Sequence, residues 1–197
     1  MSRSWDLVPF VLGSLRKPLS TGAFVPSTRR CGQALLGGEA LDGLGAVVEL
    51  GAGTGAITRQ LDAALTPTAR LLAVEVNDGF AARLRRTSSP RVEVVAGSAV
   101  DLSRILDDLD VERVDAVVSA LPWTVMPPPD QRAVLAAVAK ALHPQGWFAT
   151  LLSVHRARTE AGREFLALLT DTFGDVRPRG TVWANMPPVT AYHCHPR

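Results

Sequence analysis

Residues 47–61 read VVELGAGTGAITRQL. An apolar run ends at a carboxylate, three glycines follow at every second position, and the apolar spacing then changes from that of a strand to that of a helix. Gly51, Gly53 and Gly55 leave no Cβ to obstruct either a sharp strand-to-helix turn or a ligand passing close to the backbone. Such a loop accepts a nucleotide-bearing cofactor. The glycines alone do not choose which one, because Gly51-x-Gly53-x-x-Ala56 also satisfies the permissive dinucleotide fingerprint.

Two carboxylates narrow the choice. Glu75 closes the next apolar run, LLAVEV (71–76), where a carboxylate accepts hydrogen bonds from both ribose hydroxyls; Glu75 and Val76 are therefore candidate cofactor residues. A ribose belongs equally to NAD and to S-adenosylmethionine (SAM). Glu49 separates them, because it stands two residues before the first glycine. There it would repel a pyrophosphate but would serve the α-ammonium of the methionine part of SAM, directly or through water. The sign of that interaction favours SAM, with Glu49, Gly51, Ala52, Gly53, Gly55 and Glu75 as its binding residues.

Outward from this loop, strand-like and helix-like runs alternate. Strands are expected at 46–50, 71–76, 91–97, 114–121 and 147–154. Helices are expected at 56–65, 77–86, 101–109 (with Asp101 as N-cap), 129–142 (with His143 capping its end) and 159–173. The alternation implies βαβ crossovers and a mostly parallel sheet with helices on both faces. The rhythm breaks at the end, where 175–185 and 188–195 are two strand-like runs with no helix between them. The expectation is an α/β, Rossmann-like, seven-stranded sheet with a terminal antiparallel strand pair. Residues 46–197 would form this domain, preceded by a separate N-terminal segment, 1–45.

Composition sets the class of partner. The chain has 197 residues, 47% hydrophobic and 20% charged, with a net charge of +2. That supports one packed domain and argues against a nucleic-acid partner, whose phosphates call for a strong basic excess. Cys31 and Cys194 read as reduced thiols. No run approaches the ~18 apolar residues of a membrane span. The start is unlike a secretory signal, since Asp6 and Pro9 interrupt it and Arg16 and Lys17 follow, so a cytoplasmic location is expected. Trp5, Val8, Leu12 and Leu15 nevertheless share helical spacing. Residues 4–17 therefore read either as a lid packed on the domain or as a helix lying in a membrane interface.

Taken together, Glu49-Leu-Gly-Ala-Gly-Thr-Gly55, Glu75 and Leu121-Pro122 resemble the SAM-dependent methyltransferases over residues 46–195. Three segments narrow the resemblance to the short bacterial phosphatidylethanolamine N-methyltransferases: Pro18-x-x-Thr21-Gly-Ala-Phe-Val-Pro-Ser27, Val118-Ser-Ala-Leu-Pro122 and Val182-Trp-Ala-Asn-Met-Pro-Pro188. The resemblance implies SAM as cofactor and stepwise methylation of an amine headgroup at the inner membrane face, with peripheral contact through residues 4–17. It also implies that Thr21 and Gly22 close over the methionine end and that Ser98 and Ala99 lie at the adenine. Ser119 and Leu121 would stand where the transferred methyl points. Leu121-Pro122-Trp123 also resembles a segment of rRNA adenine dimethyltransferases, which append an RNA-binding domain after the last strand.

The departures fall on the substrate side. Ser98 stands where the family has Asp, Ala120 where it has Gly, and the strand at 147–154 lacks the family's following tyrosine. Trp123 could face a methylated ammonium by cation–π attraction or serve as a wall of the pocket. Tyr192, the only tyrosine, is the second candidate for a catalytic contact. His193 and His195 alternate on one strand face without a third ligand, and no metal is expected. Three readings stand: an aminolipid N-methyltransferase, a methyltransferase of a soluble small molecule such as a specialised metabolite, and a non-catalytic SAM-binding protein.

Overall fold

The computed structural model describes residues 29–196, so the expectations for residues 4–17, Thr21 and Gly22 lie outside the described residues. The chain forms α1 (Arg29–Leu36), β1 (Ala46–Leu50), α2 (Thr58–Ala64), β2 (Arg70–Glu75), α3 (Asp78–Thr87) and β3 (Val92–Ala96). There follow α4 (Leu102–Asp108), β4 (Val114–Ser119), α5 (Pro128–Ala141), β5 (Leu142–Ser153), α6 (Val154–Ala157), α7 (Glu160–Phe173), β6 (Asp175–Val182) and β7 (Val189–His195). One sheet orders the strands β3-β2-β1-β4-β5-β7-β6. The first five strands are parallel, whereas β7 runs antiparallel to both β5 and β6. The expected sheet and its reversed terminal pair are both present.

The central strands are apolar on both faces because helices cover both. Val48, Leu50, Leu72, Val74, Val117 and Phe148 pack against α4, α5 and α7. Their neighbours in sequence, Val47, Leu71, Ala73, Ala116, Val118 and Ala149, pack against α1, α2 and α3 on the opposite face. Alternation along β1 therefore sends Glu49 to the α2 side, and chain order alone puts it at the strand's C-terminal end.

Side chains cap the starts of two of the described α-helices. The Asn77 side chain accepts from the Phe80 N–H at the start of α3, and the Thr159 hydroxyl accepts from the Gly162 N–H at the start of α7. Two expected caps are corrected. Asp101 makes no side-chain cap to α4; a short 3₁₀ turn (Ala99–Asp101) precedes that helix, and its cap is Ser98. His143 does not cap α5, because the chain enters β5 at Leu142, five residues earlier than its apolar pattern suggests, through an irregularity between its Val114 and Ala116 pairings. The carbonyls at that helix end are served by Arg113, whose guanidinium donates to Lys140 O (2.7 Å) and Leu142 O (2.9 Å).

At the outer strands, α1 packs on β5, β6 and β7. Leu35 is fully buried there, and His193 lies between the Ala34 carbonyl and Glu39 Oε1, 3.1 Å from each. His195 Nε2 approaches the same carboxylate oxygen at 3.4 Å. The two histidines thus fasten the connector after α1 to the sheet.

Candidate cofactor and acceptor site

The C-terminal ends of the parallel strands form one edge, and the candidate residues gather there. A register row crosses six strands: Val95–Val74–Leu50–Ser119–Thr150–Tyr192. Short backbone bonds tie the loops above it, from Gly51 N–H to Val74 O (2.9 Å), Gly97 N–H to Glu75 O (3.0 Å) and Ala120 N–H to Leu50 O (3.2 Å). In open parallel sheets, ligands bind outside this edge where neighbouring strands send their chains to opposite faces; between β1 and β4 the order reverses, which makes that point here.

The glycine loop begins with Gly51 at φ 78°, a left-handed conformation in which a side chain is strained. A Cβ there would also meet Leu121 Cδ2 at 2.9 Å, so the loop after β1 and the loop after β4 touch through the missing side chain. Gly53 (φ 54°) differs: no atom lies closer to a Cβ than Gly51 O at 3.9 Å, and its free face is open. The expected result for Gly51→Ala is a loss of about 1–3 kcal/mol of stability, read from denaturant midpoints. SAM affinity should fall with it, because Leu121 is displaced.

Glu75 is 5% exposed and braces this loop. Its Oε2 accepts from Gly53 N–H (2.7 Å) and its Oε1 from Asn77 N–H (2.8 Å), so one carboxylate fixes both the glycine turn and the start of α3. Each oxygen retains acceptor capacity for a ribose hydroxyl. Ala52 is buried behind the loop, and Val76 follows Glu75 half-buried.

Glu49 is the unusual group. It is 1% exposed, and neither carboxylate oxygen has a hydrogen-bond partner among the described residues; the buried Thr58 hydroxyl beside it also lacks one. Burial pushes its carboxyl up from 4.5 to about 7. The neighbouring Thr58 pulls in the opposite direction, the Glu75 charge adds to the rise, and Arg59 slightly offsets it. A buried carboxylate with unfilled lone pairs is what an ammonium, or a water carrying one of its protons, would complete. A pyrophosphate would worsen it. The residues present therefore fit SAM.

Ser98 and Ala99 lie half-buried after β3. The Ser98 hydroxyl accepts from Val100 N–H (3.4 Å), so it is engaged with its own turn. Ser119 is fully buried at the end of β4, and its hydroxyl accepts from Leu121 N–H (3.2 Å). These bonds shape the Ser119–Trp123 loop from within.

Trp123 lies in the core. It is 1% exposed, stacked on Phe165 of α7 (4.8 Å between centroids, 19°) and edge-on to Phe148 (6.2 Å, 84°). Its Nε1–H donates to Thr150 Oγ1 (2.7 Å), and that hydroxyl donates in turn to Ser119 O (3.2 Å). From the other side, Gln131 Nε2 donates to the carbonyls of Trp123 (2.8 Å) and Met126 (3.1 Å). The residue acts as the peg that holds the loop after β4. Thr150 and Gln131 escaped the sequence reading; a lone threonine within the apolar run 147–154 was the available signal.

Tyr192 shares the register row and the sheet face of Thr150, three strands from β1, or roughly 14 Å across the sheet. Half-buried, it packs against the core cluster that contains Trp123, and burial pushes its phenol above the ordinary range. At neutral pH it keeps its proton and can donate a hydrogen bond, but it is no base. No group of His, Cys, Asp and Glu among the described residues is arranged to hold a metal ion, and no described helix is long and apolar enough to cross a membrane.

Comparison with known proteins agrees with this geometry. Residues 47–146 match the family model described as a methyltransferase domain. The ornithine lipid N-methyltransferase of Singulisphaera acidiphila is 35% identical over 150 residues, which are 75% of this chain and 74% of the relative. Among solved structures, the 1,6-didemethyltoxoflavin-N1-methyltransferase of Burkholderia thailandensis, with its substrate and S-adenosylhomocysteine bound, superposes with a TM-score of 0.65. It is 18% identical, and the match covers 96% of this chain and 87% of that one. Aeropyrum pernix fibrillarin with natively bound SAM gives a TM-score of 0.61 at 16% identity, covering 76% and 66%.

Proposed function

The chain belongs to the SAM-dependent methyltransferases, and on that premise we propose that it N-methylates the amine headgroup of an aminolipid. The observation that carries the choice of acceptor is the 35% identity to an ornithine lipid N-methyltransferase across three quarters of both chains.

In this reading the glycine loop, Glu49 and Glu75 hold the cofactor: Glu49 faces the α-ammonium, Glu75 the ribose, and Val76, Ser98 and Ala99 the adenine side. Ser119 and Leu121 set the floor beneath the reacting end. When bound, SAM would supply an electrophilic methyl group on its sulfonium, with S-adenosylhomocysteine as the leaving group when an amine lone pair takes the methyl. The protein's contribution is to hold the acceptor nitrogen within near-attack distance and to keep water out. The loop pegged by Trp123 and Thr150 provides that rigidity, and the Tyr192 hydroxyl is a donor available to the headgroup. The acceptor nitrogen must be unprotonated when it attacks, so the rate should rise with pH toward the amine's own pKa.

The test supplies methyl-labelled SAM with vesicles containing a primary aminolipid and, separately, with soluble primary amines. Label should enter the lipid extract. Label confined to a soluble amine transfers the assignment to the small-molecule class; SAM binding without label in either fraction makes the protein a non-catalytic binder.

A further inference from the structure

Two exposed side chains stand apart from an otherwise well-buried apolar set. Among the described residues, the large hydrophobics that reach solvent are Val100, Trp183 (72% exposed) and Met186 (79% exposed). The last two occupy one six-residue loop, 183–188, between β6 and β7. Strand direction places that loop: Val182 pairs with Val189, and Val189 pairs with Ser153 at the C-terminal end of β5. The loop therefore projects from the same edge as the glycine loop and the Ser119–Trp123 loop.

Its shape is held from inside. Asn185 is 6% exposed, its Nδ2 donates to Pro187 O (2.8 Å), its backbone N–H bonds Val182 O (3.3 Å), and Cys31 Sγ donates to its Oδ1 (3.3 Å). With Asn185 turned inward, Trp183 and Met186 are presented outward by a braced turn.

The surroundings are cationic. Through Cys31 the loop adjoins the start of α1, where Arg29 and Arg30 are exposed. Val154 N–H bonds Pro188 O (2.9 Å), which joins the loop to the segment bearing Arg156 and Arg158. No Asp or Glu occurs at 176–197, 153–159 or 29–38; the first acid on the α6 side is Glu160. An aromatic and a thioether tip on a loop joined to two arginine-bearing segments matches the headgroup layer of an anionic bilayer, in which Trp favours the interface and each Arg adds attraction.

We propose that the β6–β7 loop is a membrane-docking element: Trp183 and Met186 enter the interface of an anionic lipid surface and bring the acceptor edge onto the bilayer. This rests on the aminolipid reading above and names how that acceptor is reached.

The test is co-sedimentation of the full-length protein with vesicles that contain no aminolipid, phosphatidylcholine with and without phosphatidylglycerol. The protein should bind the anionic vesicles, salt should weaken binding, and the double variant Trp183→Ser/Met186→Ser should bind roughly tenfold more weakly. The same variant should keep its SAM affinity and its methylation of detergent-dispersed aminolipid. Unchanged vesicle binding overturns the proposal. So does a variant that alters only the oligomeric state, or only the protease sensitivity of residues 1–28, either of which gives the patch to another occupant. Vesicle binding without any lipid methylation leaves the docking element standing and overturns the aminolipid reading. Methylation in detergent with vesicle binding indifferent to the substitutions does the reverse.

Discussion

Replacing Glu49 with Gln is expected to make the cofactor-free protein more stable above neutral pH while weakening its hold on SAM. The carboxyl sits at about 7 in the folded protein against an ordinary 4.5, because burial disfavours its charge. Between those values the folded state keeps a proton that the unfolded chain has released. Its contribution to stability is therefore fully present below pH ~4.5 and is lost as pH rises through 7. A shift of this size corresponds to about 3 kcal/mol of stability lost by the time the group is fully ionised. Glutamine cannot ionise and escapes the loss. Denaturant titrations from pH 4 to 8.5 should show the wild type weakening relative to the variant from about pH 4.5 upward, with the gap levelling off above pH 7.

Cofactor binding should show the opposite preference. An ammonium beside Glu49 requires the carboxylate, so wild-type affinity for SAM should fall as pH drops below 7, when a proton competes for the site. A hydrogen bond to a charged partner contributes about 1.5–3 kcal/mol, so Glu49→Gln should cost roughly 10- to 100-fold in affinity at pH 8 and flatten the profile. Calorimetric titration at several pH values reads both effects. Equal affinity and the same pH profile in the two proteins would remove Glu49 from the cofactor site.

Trp123→Ala should be the most destabilising single change in the loop after β4. The ring is 1% exposed and packed between Phe165 and Phe148, and truncating such a side chain costs about 3–5 kcal/mol. Trp123→Phe separates packing from the polar peg. It preserves an aromatic ring but leaves Thr150 Oγ1 without its donor, a loss of about 1–2 kcal/mol. Because the ring faces the core, the phenylalanine variant should change stability and kcat through loop position while leaving KM for the amine nearly unchanged. A raised KM for the amine with unaltered stability would instead mean that the indole meets the methylated ammonium directly.

These two residues show how unevenly the site could be read in advance. Glu49 could be singled out because its place before the glycines and the sign of its charge are both properties of chain order, which left its role as a candidate. Its burial was not, since that depends on which helix covers the end of β1. Trp123 carried the reverse information. Its residue type left open a contact with a methylated ammonium or a wall of the pocket, and the stacking on Phe165 joins positions 42 residues apart in sequence that only the folding of α7 onto the sheet brings together. Ser98 was placed correctly after β3, yet its engagement with Val100 N–H belongs to a short turn without a clear sequence signature.

Apolar periodicity, the glycine spacing and the absence of a helix between the last two strands determined the sheet and the edge of it at which the glycine loop stands. These features are local, and hydrophobic burial leaves a chain with that pattern few other arrangements. What only the tertiary structure decided is which polar groups are left without partners and which apolar ones without cover among the described residues: Glu49 unfilled beneath the glycine loop, Trp183 and Met186 exposed on the same edge. Such outcomes depend on the sum of neighbours from distant parts of the chain, and no window of sequence contains that sum.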